Sequence, residues 1–221
     1  PATASAARIA APLPEPRRGP AAGWALLRAR TAFEMKLVFK SPAFILLMTF
    51  VMCTCFFALI TQRDPDGRPS WPVTAGLIPE LEEVFMLVPL VIAVIYAGEL
   101  VWRDRDRKVH ELIDAAPYPN WGAIVPKMAA LGLVLTSTLL AGVAASASIQ
   151  LGLGYTDLEL DKYLLWFVFP KSVDLLLFAG LAVFVQAVSP HKVVGWGLMI
   201  LYLLVEFSGL GPDHNLLAFG G

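Results

Sequence analysis

Five apolar stretches dominate this chain, at residues 43–61, 84–102, 128–151, 164–188 and 193–210. Each approaches the roughly 20 residues that an α-helix needs to cross a hydrocarbon core of about 30 Å. Lipid offers no water to a peptide group, so a crossing segment must satisfy its own backbone as a helix or close into a barrel. The stretches lack the period-2 alternation of barrel strands. The fold class expected is therefore all-α, a polytopic helical membrane domain. Composition agrees: 57% of residues are hydrophobic and the mean hydropathy is +0.66, against about 45–50% apolar residues in soluble domains. Pro170, Lys171 and Asp174 interrupt the fourth stretch, which leaves open a surface half-helix followed by a shorter crossing.

The flanks divide the chain further. Residues 1–20, "PATASAARIAAPLPEPRRGP", are Pro/Ala-rich with nothing to form a core and read as a disordered linker. From Ala22 to Lys40, the residues Ala22, Leu26, Ala29, Phe33 and Leu37 recur along one side of a helix, with Arg28, Arg30, Glu34, Lys36 and Lys40 spread over the rest. That pattern predicts a helix lying on the membrane surface. Ser41-Pro42 ends it and opens the next, because Pro is tolerated in a first turn and not in a helix interior. The membrane domain then spans residues 22–210, with residues 211–221 as a tail. The chain opens on Pro and shows no signal-peptide order of charged, apolar and cleavable regions, so it reads as a segment of something longer.

Orientation follows from where Lys and Arg fall. With the N-terminus inside, the inner segments hold Arg8, Arg17, Arg18, Arg28, Arg30, Lys36 and Lys40, then Arg103, Arg105, Arg107, Lys108 and Lys127, and Lys192. The outer ones hold Arg63, Arg68 and Lys162, with Lys171 uncounted inside a span. Thirteen against three favours a cytoplasmic N-terminus and an extracytoplasmic tail.

Several chemistries are excluded. A net charge of −1 gives no basic field for nucleic acid. Cys53 and Cys55 are two apart in an apolar run and point in different directions, which suits neither a disulfide nor a metal. His110-Glu111 opens like the zinc-peptidase motif, but the position four after His110 is Asp114, and His191 and His214 are remote. Two imidazoles at i and i+4 are what would face one zinc ion. There is also no Gly-x-x-x-x-Gly-Lys-Ser/Thr loop to cradle phosphates. No enzyme, metal or cofactor is expected in this chain.

The charged run "GELVWRDRDRKVHELIDAAPYPNW" instead predicts a short cytoplasmic helix. Trp102, Val109, Ile113 and Ala116 share one face, and Asp104, Arg105, Asp106, Arg107 and Lys108 occupy the others. Pro117-Tyr118-Pro119 ends it. A topology signal needs only the basic residues, so the apolar stripe and the Pro stop favour a docking surface. Within the spans, Lys171 and Asp174 are three apart and are expected to pair with each other, while Glu206 lies near the outer end of the fifth span. These three are candidates for a transport path. Gln150 and Gln186 are expected to bond between helices, and Gly132, Gly142, Gly180, Gly195 and Gly197 to admit close helix approach.

A basic surface helix "RTAFEMKLVFKSPAF", a span, an outer loop, a second span ending "YAGELVWRDRDRKVHELIDAAPYPNWGAIVPK" and further closely spaced spans resemble the ABC-2 type permease over about residues 24–210. In that family the surface elbow helix precedes the first span, and the loop after the second contacts the ATPase. The resemblance implies a coupling region at Glu99, Arg103, Arg105, Arg107, Glu111 and Pro117, with Lys127 opening the third span. It implies an ABC ATPase partner in the cytoplasm, a second permease unit, and residence in the cell inner membrane. The family has six spans where five are counted here. The wording is also similar to bacterial membrane regions that precede an extracytoplasmic zinc aminopeptidase domain. Two functions stay open: an exporter's permease unit driven by a separate ATPase, or a membrane anchor for such a peptidase beyond this segment.

Overall fold

The computed structural model describes residues 19–61, 71–106 and 121–208, and everything below concerns these. They form helices joined by short turns, with no strand among the described residues. Helix α1 covers Pro20–Phe39 and α2 covers Pro42–Thr61. Gly19, at φ 119°, starts α1 in a backbone region that favours glycine. Pro20 and Pro42 each open a helix where no donor is needed. Helices α3 (Thr74–Phe85) and α4 (Leu87–Asp106) follow, then α5 (Trp121–Gly152), α6 (Leu160–Val188) and α7 (Lys192–Phe207).

Three of these, α2, α5 from Ile124 and α6, are long and apolar enough to cross a membrane. The α3–α4 pair makes a fourth if its 41° bend is counted within one span. Counted so, the second stretch expected at 84–102 begins ten residues earlier, at Thr74. Glu80, Glu82 and Glu83 moved the boundary in the sequence, yet Leu77, Ile78, Leu81 and Phe85 on the same helix are buried. Pro89 accounts for the bend: it has no N–H for the Phe85 carbonyl, and its ring crowds that oxygen.

Helix α6 is one continuous run of 29 residues, not a surface half-helix and a separate crossing. Pro170 is accommodated by a widened π-helical stretch over Tyr163–Val168, in which the Phe169 N–H reaches back to Leu164. The wider turn gives the proline ring room over the preceding carbonyls. Helix α7 differs from its expected 193–210 in the other direction. Its 16 residues make about 24 Å at 1.5 Å per residue, short of a full hydrocarbon core.

The core gathers around α4, whose Leu90, Ile92, Ala93, Val94 and Ala97 are buried against α5, α6 and α7. Lipid tails are as apolar as leucine, so helices here associate through close packing rather than exclusion from water. Buried Ala130, Ala145, Ala179 and Ala182 supply the small contact surfaces. Outward-facing residues are large and apolar: Leu46, Phe50 and Phe57 on α2, and Leu165, Trp166 and Phe169 on α6. The hydroxyls of Thr49 and Thr61 on α2 donate to the carbonyls of Ile45 and Phe57, at 2.8 and 2.7 Å, and so need no water. A helical protein with many large apolar side chains turned outward, on helices of spanning length, is built for a membrane.

The surface helix sits the other way round from its apolar stripe. Helix α1 packs along α5 through Thr31, Glu34 and Val38, while Trp24 and Phe33 remain 64% and 57% exposed. Thr31 and Glu34 find partners in protein, while Trp24 and Phe33 are left exposed.

Candidate functional site

Two polar zones stand out, one at the end of the bundle that carries α1 and one inside it. At the α1 end, Arg103 on the last turns of α4 places Nη2 2.6 Å from both carboxylate oxygens of Glu34 on α1. Their side chains are only 14% and 10% exposed. Four residues earlier, Glu99 pairs with Lys192 at the start of α7, whose ammonium also lies 4.9 Å over the Trp196 ring. Lys127 of α5 donates to the Leu100 carbonyl at 2.9 Å, and Trp102 donates to the Gln186 amide oxygen of α6 at 3.1 Å. One helix end is therefore tied to four neighbours. Between α1 and α4 these groups leave a cavity of about 190 Å³, lined by Glu34, Ser41, Tyr96, Glu99 and Arg103 among others.

These positions match the expected coupling region only in part. Glu99 and Arg103 lie on α4 itself, which continues unbroken to Asp106, and not on a separate docking helix. Their side chains are engaged within the chain. Arg105 belongs to the same helix, while Arg107, Glu111 and Pro117, with His110, lie outside the described residues. Close approach holds this end together: a Cβ on Gly98 would stand 2.4 Å from Trp196 Nε1, and one on Gly195 2.4 Å from Gln186 Oε1.

Inside the bundle the expected Lys171–Asp174 pair is replaced by another. Lys171 reaches across to Glu82 of α3, at 3.2 Å. Asp174 is 5% exposed, and its Oδ2 has no hydrogen-bond partner. Three residues apart on a helix are near enough to pair, but the long lysine stem finds the neighbouring helix instead. Glu82 was missed in the sequence because it falls before the apolar run and reads as loop. Glu206 on α7 is half-buried, with Oε1 enclosed and unpartnered. Ser172 and Thr136 meet at 3.3 Å in the same region, linking α6 to α5.

At the far end Gln150 acts between helices as expected. Its Nε2 donates to the Pro72 carbonyl at 2.8 Å and lies 3.3 Å from Thr74 Oγ1, while Tyr163 donates to its Oε1 at 3.1 Å. All three side chains are fully buried, and they fasten α3, α5 and α6 together. Among the described residues no group of three or more His, Cys, Asp or Glu side chains could hold a metal ion.

No family model, curated protein or solved structure matches the chain. The fold and the site define a helical membrane protein with a tied α1 end and buried charge at mid-bundle.

Proposed function

We propose that this chain is the membrane-spanning permease unit of an ABC-type exporter, driven by a separate cytoplasmic ATPase. The observation that carries the reading is the tie of α4 to α1 by Arg103–Glu34 and to α7 by Glu99–Lys192. Helix α4 runs on to Asp106 and so into the charged segment 107–120. A push on the end of α4 would be passed to α1 and α7 through these charged contacts. Coupling of this kind needs an element whose contacts differ between two states, and a helix end held by ion pairs can exchange them. Arg28, Arg30, Lys36 and Lys40 of and just after α1, with Arg103, Lys127 and Lys192 near the ends of α4, α5 and α7, support a cytoplasmic α1 end in the inner membrane.

The test is charge reversal at Arg105 and Arg107 in the full-length protein, with the ATPase recognised by its phosphate-binding loop and by ATP hydrolysis in the isolated complex. Loss of the ATPase from the complex is the expected result. Isolation of the wild-type protein without any ATPase would overturn the proposal and favour the membrane-anchor function. Undiminished association of the reversed variant would remove the coupling role of this segment.

A further inference from the structure

The cavity between α1 and α4 is walled by groups of both signs. Glu34 on α1 with Glu99 and Arg103 on α4 contribute two carboxylates and one guanidinium, and Ser41 and Tyr96 add two hydroxyls. Its volume of about 190 Å³ falls below the roughly 300–1,000 Å³ of pockets that enclose drug-sized ligands. A small polar group is the occupant of matching size.

The wall has hydrogen-bonding capacity to spare. Tyr96 is 7% exposed, and its hydroxyl has no hydrogen-bond partner among the described residues. The polar side chains beside that hydroxyl, Ser41 and Glu99, line the same cavity, which sets the hydroxyl at its wall. A buried hydroxyl left unbonded carries a desolvation cost that an incoming polar group removes. Arg103 spends Nη2 on Glu34, and a guanidinium has further N–H donors on its other two nitrogens. Glu99 gives Oε1 to Lys192 and keeps a second carboxylate oxygen as an acceptor. Donors for an anion thus stand beside an acceptor for a cation.

Charge balance narrows the ligand further. Glu34 and Glu99 are matched by Arg103 and Lys192, so the formal sum is zero. A ligand of one sign would unbalance it, and a ligand carrying both signs would not. The cavity also lies where headgroups do: Arg103 closes the bent α3–α4 span, and arginines at span ends reach the interface. Ile45 and Leu46, one turn past Ser41, are exposed and supply apolar surface nearby.

We propose that this cavity binds the headgroup of a phospholipid carrying both a phosphate and a primary ammonium, as phosphatidylethanolamine does. The phosphate accepts hydrogen bonds from Tyr96, Ser41 and Arg103, a pairing for which the guanidinium fork is well shaped, and the ammonium donates to Glu99. A trimethylammonium headgroup has no N–H to give that carboxylate, and a glycerol headgroup brings a net negative charge. Lipid binding needs no ATPase, so this site and the permease reading can fail separately.

The experiment places the full protein in nanodiscs holding equal parts of phosphatidylethanolamine, phosphatidylcholine and phosphatidylglycerol with the same acyl chains. The protein is then extracted into mild detergent, and the lipid retained on it is quantified by mass spectrometry. The wild type should retain the ethanolamine lipid above the other two. Tyr96→Phe, which removes a hydroxyl and little bulk, should lower that retention about fivefold, the worth of one hydrogen bond. Glu99→Gln should erase the preference over the choline lipid, and Glu159→Gln, at the far end, should change nothing. Free O-phosphoethanolamine tests a soluble source of the same chemistry and should leave the retained lipid in place. Equal retention of the three lipids by the wild type, undiminished retention by both Tyr96→Phe and Glu99→Gln, or displacement of the lipid by micromolar O-phosphoethanolamine overturns the proposal. If Glu99→Gln fails to fold, the wild-type preference and Tyr96→Phe decide.

Discussion

At the scale of single residues, the most consequential contact is Arg103–Glu34. Both side chains are nearly enclosed, and removing one leaves the other charged and without its partner. Breaking a buried pair in this way costs about 3–5 kcal/mol. Arg103→Ala and Glu34→Ala should each lower the thermal unfolding midpoint of the purified protein markedly, and the exchange Glu34→Arg with Arg103→Glu should recover part of the loss. A midpoint unmoved by either single change would show that the pair holds nothing. Glycine gives a second case. Gly195→Ala would set a methyl 2.4 Å from the buried Gln186 amide oxygen, and overpacking of this kind costs about 1–3 kcal/mol. Gly180→Ala, with nothing within 4 Å of the added carbon, is the control and should be neutral or slightly stabilising. The sequence shows which residues are glycine but not which of them touch another helix. Gly132 and Gly195 make the close approaches expected of them, Gly180 and Gly197 face open space, and Gly98 makes a contact that its place beside Glu99 concealed.

At the scale of elements, the helical class was legible because long apolar runs have few other solutions. Their boundaries were not, wherever a charge is neutralised by a distant partner. Glu82, Lys127 and Lys171 each marked an apparent end or interruption, and each is accommodated by a contact from another helix: Glu82 with Lys171, and Lys127 with the Leu100 carbonyl. Local hydropathy counts the cost of a charge but cannot see the partner that offsets it. The same holds for α1, whose packed face carries the polar Thr31 and Glu34 beside Val38 while Phe33 of the apolar stripe stays exposed. Proline is more direct, since its effect is local. Replacing Pro89 by Ala restores the donor for the Phe85 carbonyl and should relax the 41° bend between α3 and α4. Twelve and twenty residues on either side predict that spin labels at Ala75 and Asp106 move apart by about 3 Å on straightening, at 1.5 Å per residue. An unchanged distance distribution would assign the bend to packing around Met86 instead.

At the scale of the whole molecule, the described residues at the two ends of the bundle differ in charge. The α1 end gathers Arg28, Arg30, Lys36, Lys40, Arg103, Lys127 and Lys192, whereas the turn before α6 at the far end carries Asp157, Glu159 and Asp161 with Lys162. The loop count in the sequence already separated these groups, but only the folded chain shows that α1, α4, α5 and α7 bring their basic residues to one end. Basic ends are retained on the cytoplasmic side during insertion, and acidic residues exert little pull of their own. Lys40 should therefore face the cytoplasm and Asp161 the exterior. The measurement is labelling by a membrane-impermeant maleimide of Lys40→Cys and Asp161→Cys, each in a background with Cys53→Ser and Cys55→Ala. Cys55 is fully buried and Cys53 exposed, so removing both keeps the readout to the introduced thiol. Asp161→Cys should label in intact cells, and Lys40→Cys only after permeabilisation. The reverse pattern would turn the bundle over, place segment 107–120 outside, and leave a cytoplasmic ATPase no access to the end of α4.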